Sequence, residues 1–318
     1  MNIAITGIAG YFGQIILRRL SEEENVKIVG IDIVKPKVLT DTVEFFKVDV
    51  RDLQIVDILR RNSIDVVVHL VFLMPPVHNR SKAYDINVNG TRNVLDACGK
   101  ANVNKIIIAS STAVYGAYPD NPDWLTEDSP LRGNPEYYYC ADKIEVEQRC
   151  SQFAKEHPEI TMTILRPCDV YGPNANFMLS RVFDRKRVYL FEGFDPHYQF
   201  LHEDDLAEAF VLAIEKDNHG VFNVTPDGTL RLSEAAGLAG KEVSLVQPPT
   251  RIMDMAMRVM AALHLLDFET SPAARDIWKY RWTASNEKIK RELGFRPTYT
   301  SREAFASRYV QKRPNTAG

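Results

Sequence analysis

A glycine-rich turn near the start of the chain constrains the fold more than any other feature. The turn, Thr6–Gly13, reads TGIAGYFG. It follows the apolar run Ile3–Ile5, which predicts a buried strand, and it precedes Gln14–Leu20, whose apolar spacing predicts a helix. Glycines lack the Cβ atoms that would keep a ligand from the backbone, and the start of a helix carries partial positive charge. The strand–turn–helix unit therefore predicts a binding site for a pyrophosphate.

An acidic residue at the end of the second predicted strand, Val26–Ile33, indicates which dinucleotide binds. Asp32 lies about 20 residues beyond the glycines, the spacing at which an acid accepts hydrogen bonds from an adenosine ribose. A carboxylate there repels a 2′-phosphate, so NAD is favoured over NADP. Lys35 and Lys37 lie just beyond and would soften that repulsion, which keeps NADP as the less favoured cofactor.

Strands and helices alternate along the first two thirds of the chain. Further strands are predicted at Glu44–Val48, Asp65–Leu70, Lys105–Ala109, Thr161–Leu165 and Val221–Val224, with helices at Leu53–Arg61 and Tyr84–Ala101. Alternation at intervals of about 20 to 30 residues is typical of a doubly wound parallel sheet. The fold class is therefore α/β, a Rossmann-type doubly wound parallel sheet with a smaller C-terminal substrate lobe.

The distribution of proline and glycine predicts the domain boundaries. Residues 1–170 form the NAD-binding domain, and the segment 199–225 returns to it. Residues 171–198 and 226–318 carry the proline- and glycine-rich stretches, and we assign them to the substrate-binding lobe.

Composition excludes several classes of protein. A formal net charge of −3 and a pI near 6.2 give no electrostatic case for binding nucleic acid. The longest candidate for a membrane span, Ile252–Leu266, is too short and contains charged residues, so we expect no membrane association. The four cysteines have neither paired spacing nor accompanying histidines, which indicates a reduced cytoplasmic protein without a metal site.

Hydroxyl groups and a tyrosine–lysine pair supply the chemistry. The predicted strand Lys105–Ala109 runs into Ser110 and Ser111, which places hydroxyls at the carboxyl end of the sheet, where such folds bind ligands. Tyr139 and Lys143 are four residues apart on a predicted helix and therefore share one face. Together with the glycine turn, this set predicts a dehydrogenase-type active site that binds a small-molecule substrate.

Acidity explains why the tyrosine needs the lysine. A tyrosine with an ordinary pKa near 10 needs a shift of about three units, or about 4 kcal/mol, to act as a base at neutral pH. A neighbouring ammonium and an oxidised nicotinamide both favour the phenolate. Tyr139 would then take the proton of a substrate hydroxyl while a hydride leaves the same carbon, and Ser111 would hydrogen-bond the substrate oxygen.

These motifs resemble those of the extended short-chain dehydrogenases/reductases, in particular the NAD-dependent epimerase/dehydratase branch. Besides the glycine turn and the Ser111, Tyr139 and Lys143 set, the resemblance is carried by Asn87–Thr91, Arg166–Pro167, Val170–Pro173, His202–Ala207 and Leu293–Pro297. It implies a catalytic set of Ser111, Tyr139 and Lys143 and a homodimer formed through a bundle that includes the Tyr139 helix. The residues it implies at the cofactor are Gly7, Gly10, Tyr11, Phe12, Gly13, Asp32, Asp49, Val50, Leu70, Asn87, Tyr139, Lys143 and Arg166.

Two departures from the family pattern argue against a substrate pyrophosphate. Asp169 stands where the branch usually has asparagine, and Tyr198 stands where many nucleotide-sugar enzymes carry arginine. A like charge about 4 Å from a phosphate costs about 4 kcal/mol at intermediate dielectric. Arginines elsewhere, such as Arg181, Arg275 or Arg281, would have to compensate.

Three functions follow, in order of preference. The first is an NAD-dependent epimerase or dehydratase that acts on a sugar-like substrate, with or without a linked nucleotide, and uses Tyr139 as base. The second is an NAD(P)-dependent alcohol dehydrogenase or carbonyl reductase that acts on a smaller or apolar substrate. The third is a sensor that binds NAD without turnover.

Overall fold

The computed structural model describes residues 1–38, 43–74, 79–134, 137–175, 178–246 and 272–310, together with Met255 and Val259. Its strands are β1 (Asn2–Thr6), β2 (Lys27–Asp32), β3 (Val43–Lys47), β4 (Val66–His69), β5 (Lys105–Ala109), β6 (Thr161–Pro167), β7 (Asp169–Tyr171), β8 (Arg187–Phe191), β9 (His197–Tyr198), β10 (Phe200–His202), β11 (Gly220–Val224), β12 (Leu230–Arg231) and β13 (Glu242–Val246). Seven of them form a sheet in the order β11–β6–β5–β4–β1–β2–β3, and every neighbouring pair is parallel.

Helices cover both faces of this sheet. They are α1 (Tyr11–Leu20), α2 (Ile55–Arg61), α3 (Arg80–Tyr84), α4 (Gly90–Ala101), α5 (Tyr138–Glu156), α6 (Met178–Asp184), α7 (Glu203–Glu215), α8 (Leu232–Leu238), α9 (Pro272–Ile277), α10 (Glu287–Glu292) and α11 (Ser301–Val310). Residues of α1 and α7 share one apolar core with the sheet, and residues of α2, α4 and α5 share the other. The predicted doubly wound parallel sheet is confirmed.

The order of the strands reverses between β1 and β4, which lie side by side at the centre of the sheet. In sheets of this kind a crevice opens at the carboxyl ends of the strands where the order reverses. The glycine turn follows β1, and the hydroxyls of Ser110 and Ser111 follow β5, which is paired with β4. The topology therefore brings the two predicted parts of the site to one edge of the sheet.

Two helix boundaries differ from the prediction. The helix expected from Tyr84 begins at Arg80, and a π-helical turn, Asp85–Asn89, joins α3 to α4. The helix expected from Leu53 begins at Ile55, because the Asp52 carboxylate accepts a hydrogen bond from the Gln54 N–H and forms a turn there. Leu53 lies in that turn and is 75% exposed, so it is not part of the apolar face.

A third apolar cluster lies outside the central sheet. Aromatic residues dominate it, and the ring of Phe305 contacts those of Tyr171 and Phe183 at centroid distances of 5.1 and 5.0 Å. The cluster joins residues of segments 171–200, 230–239 and 277–309. We retain as a proposal the division at residue 170, with segment 199–225 belonging to the first domain.

The described residues contain no helix that is long and apolar enough to cross a membrane. Within the same ranges, no group of three or more histidine, cysteine or acidic side chains is arranged to hold a metal ion. Most of the apolar segment Ile252–Leu266 lies outside the described residues.

Candidate active site

The glycine turn has the backbone geometry that its sequence predicts. Gly7 has a φ of +77°, a conformation that L-residues with a side chain rarely adopt. A Cβ atom on Gly13 would lie 2.4 Å from the Gly7 carbonyl oxygen, so a side chain cannot fit there. Gly10 caps α1 without any side-chain hydrogen bond, which leaves the N–H groups of the first helical turn for an anion.

Asp32 lies directly beside this turn. Its Oδ2 accepts a hydrogen bond from the Ala9 N–H at 3.0 Å, and its Oδ1 accepts one from the Val34 N–H at 3.1 Å. Each carboxylate oxygen keeps a lone pair for a further donor, such as a ribose hydroxyl. The open helix start and the neighbouring carboxylate together fit the pyrophosphate and ribose of a dinucleotide.

Three other predicted cofactor residues differ in their contacts with the rest of the protein. Leu70 follows β4 and donates its N–H to Thr6 at 3.1 Å, beside the glycine turn, while Val50 is buried under α4. The Asp49 carboxylate contacts the Arg51 guanidinium at 2.7 Å, and this hydrogen bond lowers the pKa of Asp49. Asp49 therefore already has a cationic partner, and its predicted contact with adenine remains a prediction.

The aromatic residues of the turn lead toward α7. The Tyr11 hydroxyl donates to Glu203 Oε2 at 2.7 Å, and the Phe12 ring lies 5.9 Å from the Tyr11 ring, measured between centroids. The Asn174 amide donates to the other oxygen of Glu203 at 2.7 Å. Glu203 thus connects the glycine turn with the segment that follows β7, a contact that sequence spacing does not reveal.

The predicted catalytic residues meet beyond the end of β5. The Ser111 hydroxyl lies near the Tyr139 phenol and lowers its pKa, and the Ser111 Oγ accepts the Ala113 N–H at 3.1 Å. Lys143 donates from Nζ to the Ala109 carbonyl at 2.6 Å, and this Nζ lies 5.9 Å from the centroid of the Tyr139 ring. The structure therefore brings Ser111, Tyr139 and Lys143 together, as their motifs predicted.

The ionisation of this set differs from the expectation. Burial raises the pKa of Tyr139, and the Ser111 hydroxyl offsets only part of that effect. Burial also disfavours the charged form of Lys143 and lowers its pKa to about 7. A large fraction of the Lys143 side chains is therefore uncharged near neutral pH. Desolvation outweighs the attraction between the two groups in the protein alone, and the expected lowering of the Tyr139 pKa by Lys143 is not observed.

Asn87 supports the site through the backbone and through α5. Its Oδ1 accepts the Leu73 N–H at 2.7 Å, and its amide donates to Asp142 Oδ2 at 3.1 Å. Arg80 also donates to Asp142 at 2.9 Å. Because Asp142 lies on the same helix as Tyr139, these bonds fix that helix against the segment after β4.

Arg166 takes part in a buried network. Its guanidinium forms an ion pair with Glu147, with Nε 2.9 Å from Oε1, and it donates from Nη1 to the Tyr115 hydroxyl at 2.7 Å. All three of its guanidinium nitrogens have protein partners, and Ser110 also donates to Glu147. The guanidinium of Arg166 is therefore fully engaged with protein groups, and its predicted contact with the cofactor remains a prediction.

Sequence reasoning missed Glu147, although it lies four residues beyond Lys143 on α5 and therefore shares its helix face. It also missed the aromatic wall of the cleft. Ile277 and Trp282 pack against the cluster that contains Tyr137 and Tyr139. The Tyr198 hydroxyl donates to the Ile277 carbonyl, so this phenol supports the wall.

Comparison with known proteins agrees with this geometry. The sequence model of the NAD dependent epimerase/dehydratase family matches residues 3–225. An uncharacterized protein of Mycobacterium tuberculosis is 26% identical over 313 residues, which make up 95% of this chain and 82% of that protein. A UDP-glucose 4-epimerase of Lactobacillus helveticus is 33% identical over 182 residues, which make up 55% of this chain and 54% of the relative.

Solved structures show the same architecture. The UDP-glucose 4-epimerase of Thermus thermophilus, crystallised in complex with NAD, superposes with a TM-score of 0.78 at 22% identity, over 99% of this chain and 100% of that one. At this identity the likeness establishes the fold. The family match spans the glycine turn, Asp32 and the catalytic set alike. The chain therefore belongs to the NAD dependent epimerase/dehydratase family, whose members are NAD-dependent enzymes.

Proposed function

We propose that this enzyme oxidises a secondary alcohol of a sugar-like substrate, free or nucleotide-linked, with Tyr139 as the base. The observation that carries the proposal is that Ser111, Tyr139 and Lys143 come together just beyond the end of β5, at the carboxyl edge of the sheet. The glycine turn and Asp32 lie at the same edge. A proton acceptor and a dinucleotide site thus share one crevice, as a dehydrogenation requires.

The side chains divide the reaction between them. Ser111 donates a hydrogen bond to the substrate oxygen and orients it toward the phenol of Tyr139. Tyr139 takes the hydroxyl proton, and Lys143, when protonated, stabilises the phenolate that does so. Bound NAD would supply the acceptor for the hydride of the same carbon. Return of that hydride to the opposite face of the carbonyl carbon would give an epimer. Loss of water across the two carbons next to the carbonyl, followed by return of the hydride to the alkene so formed, would give a dehydrated product.

The cleft wall and the relatives support a sugar-like substrate. Aromatic side chains such as Trp282 and Tyr137 present apolar faces on which the C–H groups of a sugar ring can pack. The Lactobacillus relative and the Thermus structural neighbour are both named UDP-glucose 4-epimerases. The proposed substrate is therefore a sugar or a sugar derivative.

A second function is favoured by the charge of the cleft. Asp169 raises the pKa of the Tyr139 phenol, and the Tyr198 ring packs against Trp282 of the cleft wall, so neither of these two positions carries a cation for a phosphate. Such a cleft also suits an alcohol dehydrogenase or carbonyl reductase that acts on a smaller or apolar substrate. The two functions differ in their use of the cofactor: NADH accumulates during net oxidation, whereas a bound NAD is retained when the hydride returns to the substrate.

Substitution of Tyr139 tests the proposal. Turnover is followed with a panel of uridine and thymidine diphosphate sugars and the corresponding free sugars, by product analysis and NADH absorbance. We expect Tyr139→Phe to lower turnover at least about 100-fold, because general base catalysis contributes about 10²–10⁴-fold. NAD affinity should change by no more than about threefold, since this binding needs no proton transfer.

Tyr138→Phe is the matched control. Tyr138 precedes Tyr139 on α5, and its ring lies 4.8 Å below the Arg80 guanidinium carbon. The control variant should retain turnover within about threefold, because its hydroxyl is not placed to exchange a proton with substrate. Full activity in Tyr139→Phe would refute the assignment of the base. If no member of the panel is turned over although NAD binds, the NAD-binding sensor replaces the enzyme as the preferred function.

We also propose that the protein is a cytoplasmic homodimer. All four cysteines are free, and three of them are buried, which suits a reducing compartment. Light scattering of the purified protein measures the molar mass directly. A mass of one chain of 36.2 kDa would contradict the dimer.

A further inference from the structure

Phe72 lies beside both ionisable members of the catalytic set. It belongs to the segment that follows β4 and is half-buried against the core that α5 shares with the sheet. The Lys143 Nζ lies over the face of its ring, 3.8 Å from the centroid. The Tyr139 ring meets it at an interplanar angle of 81°, with 5.3 Å between the two centroids. One apolar side chain thus contacts both the proposed base and its lysine.

The other contacts of the Lys143 ammonium leave room for such a partner. It donates a hydrogen bond to the Ala109 carbonyl at 2.6 Å, and within the described part of the chain no carboxylate forms an ion pair with it. The acids that act on it from α5 already have cationic partners, which are Arg166 for Glu147 and Arg80 for Asp142. The face of an aromatic ring carries partial negative charge and attracts a cation most strongly where water is excluded. The ring of Phe72 therefore offers this ammonium an attraction that partly replaces its lost hydration.

We propose that Phe72 is a positioning residue for Lys143: the face of its ring holds the ammonium beside the Ala109 carbonyl and keeps it charged. A charged Lys143 favours the phenolate of Tyr139, so the ring acts on the reaction through the lysine. The inference rests on the proposed function for this consequence, whereas the contact itself is tested without turnover.

The surroundings of Lys143 allow its charge to be followed through pH. The titratable groups that face it are His69 from β4 and Tyr139, Asp142, Glu147 and Cys150 from α5. Burial keeps His69 neutral by lowering its pKa to about 3, and burial raises the pKa of the Cys150 thiol and of the Tyr139 phenol. Both carboxylates are held ionised by their arginines. Between about pH 5.5 and about pH 9, Lys143 is therefore the member of this set that changes charge, since its pKa is about 7.

Stability at these two pH values separates attraction for the ammonium from plain packing. Phe72→Leu keeps an apolar side chain and removes the ring face. The ring raises the pKa of Lys143 relative to that in the variant, so its contribution is present below this pKa and is lost above it. The ratio of the unfolding constant of Phe72→Leu to that of the wild type should therefore be at least about threefold larger at about pH 5.5 than at about pH 9. Denaturant titration measures both constants.

Further variants connect the effect to the ring face and to the lysine. Phe46→Leu is the matched control: Phe46 is half-buried against the same core, and across the described ranges no cation lies over its ring, so its cost should be equal at both pH values. Phe72→Leu added to Lys143→Met should likewise cost the same at both pH values. Trifluorophenylalanine at position 72 nearly keeps the shape of the ring and weakens its partial charge. It should reproduce the pH dependence with less loss of packing, which preserves the test if the leucine variant does not fold.

A ratio of unfolding constants that is the same at both pH values would overturn the inference and leave Phe72 as a packing residue. So would a pH dependence that persists in the Lys143→Met background, because another group would then cause it. The proposed function is judged separately by the turnover of Tyr139→Phe. Failure of the stability test removes the role of Phe72 and leaves the assignment of the base unaffected.

Discussion

Lys143 is wholly inside the protein, with its ammonium bonded to the Ala109 carbonyl and lying 3.8 Å from the centroid of the Phe72 ring. An ammonium in such surroundings loses most of its hydration, and its pKa falls to about 7. Burial of the Lys143 ammonium thus lowers the free energy of unfolding, although the proposed reaction uses this group. Natural active sites often carry such costs.

Lys143→Met should reveal this cost through pH. In the wild type the folded pKa is about 7 and the unfolded value 10.5, so the unfolded chain binds more protons between these values and stability rises with pH. The variant, without this group, should be more stable than the wild type at about pH 7. The difference should shrink toward pH 10 by at most about 1.4 kcal/mol per pH unit.

Chemical denaturation of both proteins at about pH 7 and about pH 9 measures this difference. Other titrating groups are common to the two proteins and cancel in the comparison. A stability difference that is the same at both pH values would mean that Lys143 keeps an ordinary pKa in the folded protein.

Among single residues, the sequence predicted that Ser111, Tyr139 and Lys143 come together but not how they ionise. The spacing of Tyr139 and Lys143 places them on one helix face wherever that helix lies. Their desolvation depends on Phe72 and Ala109, which come from distant segments of the chain. Burial by distant segments is a property of the tertiary structure, and no local pattern records it.

Among the elements, the turn from β1 to α1 is the most tightly determined. A Cβ atom on Gly13 would lie 2.4 Å from the Gly7 oxygen and 2.6 Å from the Ile8 Cα, both of which are backbone atoms that cannot move alone. We therefore expect Gly13→Ala to lower the free energy of unfolding by about 1–3 kcal/mol. NAD affinity should fall at least about tenfold, because the turn must open to admit the methyl group.

Gly237→Ala on α8 is the matched substitution, since an added Cβ there meets no atom within 4 Å. Alanine favours helix, so this variant should be neutral or more stable by up to about 1 kcal/mol. Denaturant titration and NAD binding are measured on both. If Gly13→Ala matched Gly237→Ala in stability and NAD affinity, the close backbone contact at Gly13 would be needed neither for folding nor for NAD binding.

Strands were more predictable than helix boundaries. Strands of the central sheet such as β4 and β5 are buried throughout and read as continuous apolar runs, which sequence shows directly. The start of α3 at Arg80 was missed although a local signal marks it: Asn79 caps the helix, and its Oδ1 accepts the Lys82 N–H at 2.9 Å. The ion pair of Arg80 with Asp142, 62 residues further along the chain, could not be read from the sequence.

On the scale of the whole molecule, the Arg166–Glu147 ion pair joins β6 to α5. Both side chains are more than 95% buried, and the Tyr115 hydroxyl continues the network to Asn223 in β11. This buried pair is therefore one of the contacts that hold α5 against the sheet, beside the apolar core that they share.

Glu147→Ala should destabilise the protein by about 3–5 kcal/mol, because it leaves the Arg166 guanidinium buried without its counter-charge. The control is Asp96→Ala, which breaks an exposed pair with Arg92 on α4 and should cost at most about 1 kcal/mol. Denaturant unfolding measures both. Comparable small losses in the two variants would show that Arg166 finds another partner or water.

The doubly wound sheet could be predicted from sequence because its motifs are local and its central strands contain apolar runs. The cleft could not, because Tyr139 meets Ile277 and Trp282 only after the C-terminal segments pack against α5. The residues on the substrate side of the site could therefore be identified only from the structure.

We infer that the glycine turn and Asp32 hold NAD in the crevice at the carboxyl edge of the sheet. Titration of the wild type with NAD and with NADP, followed by fluorescence, measures this preference. We predict that NAD binds at least about tenfold tighter than NADP, because the Asp32 carboxylate repels a 2′-phosphate, and that Asp32→Ala narrows this gap. NADP binding as tight as that of NAD, or a gap unchanged in Asp32→Ala, would contradict the account.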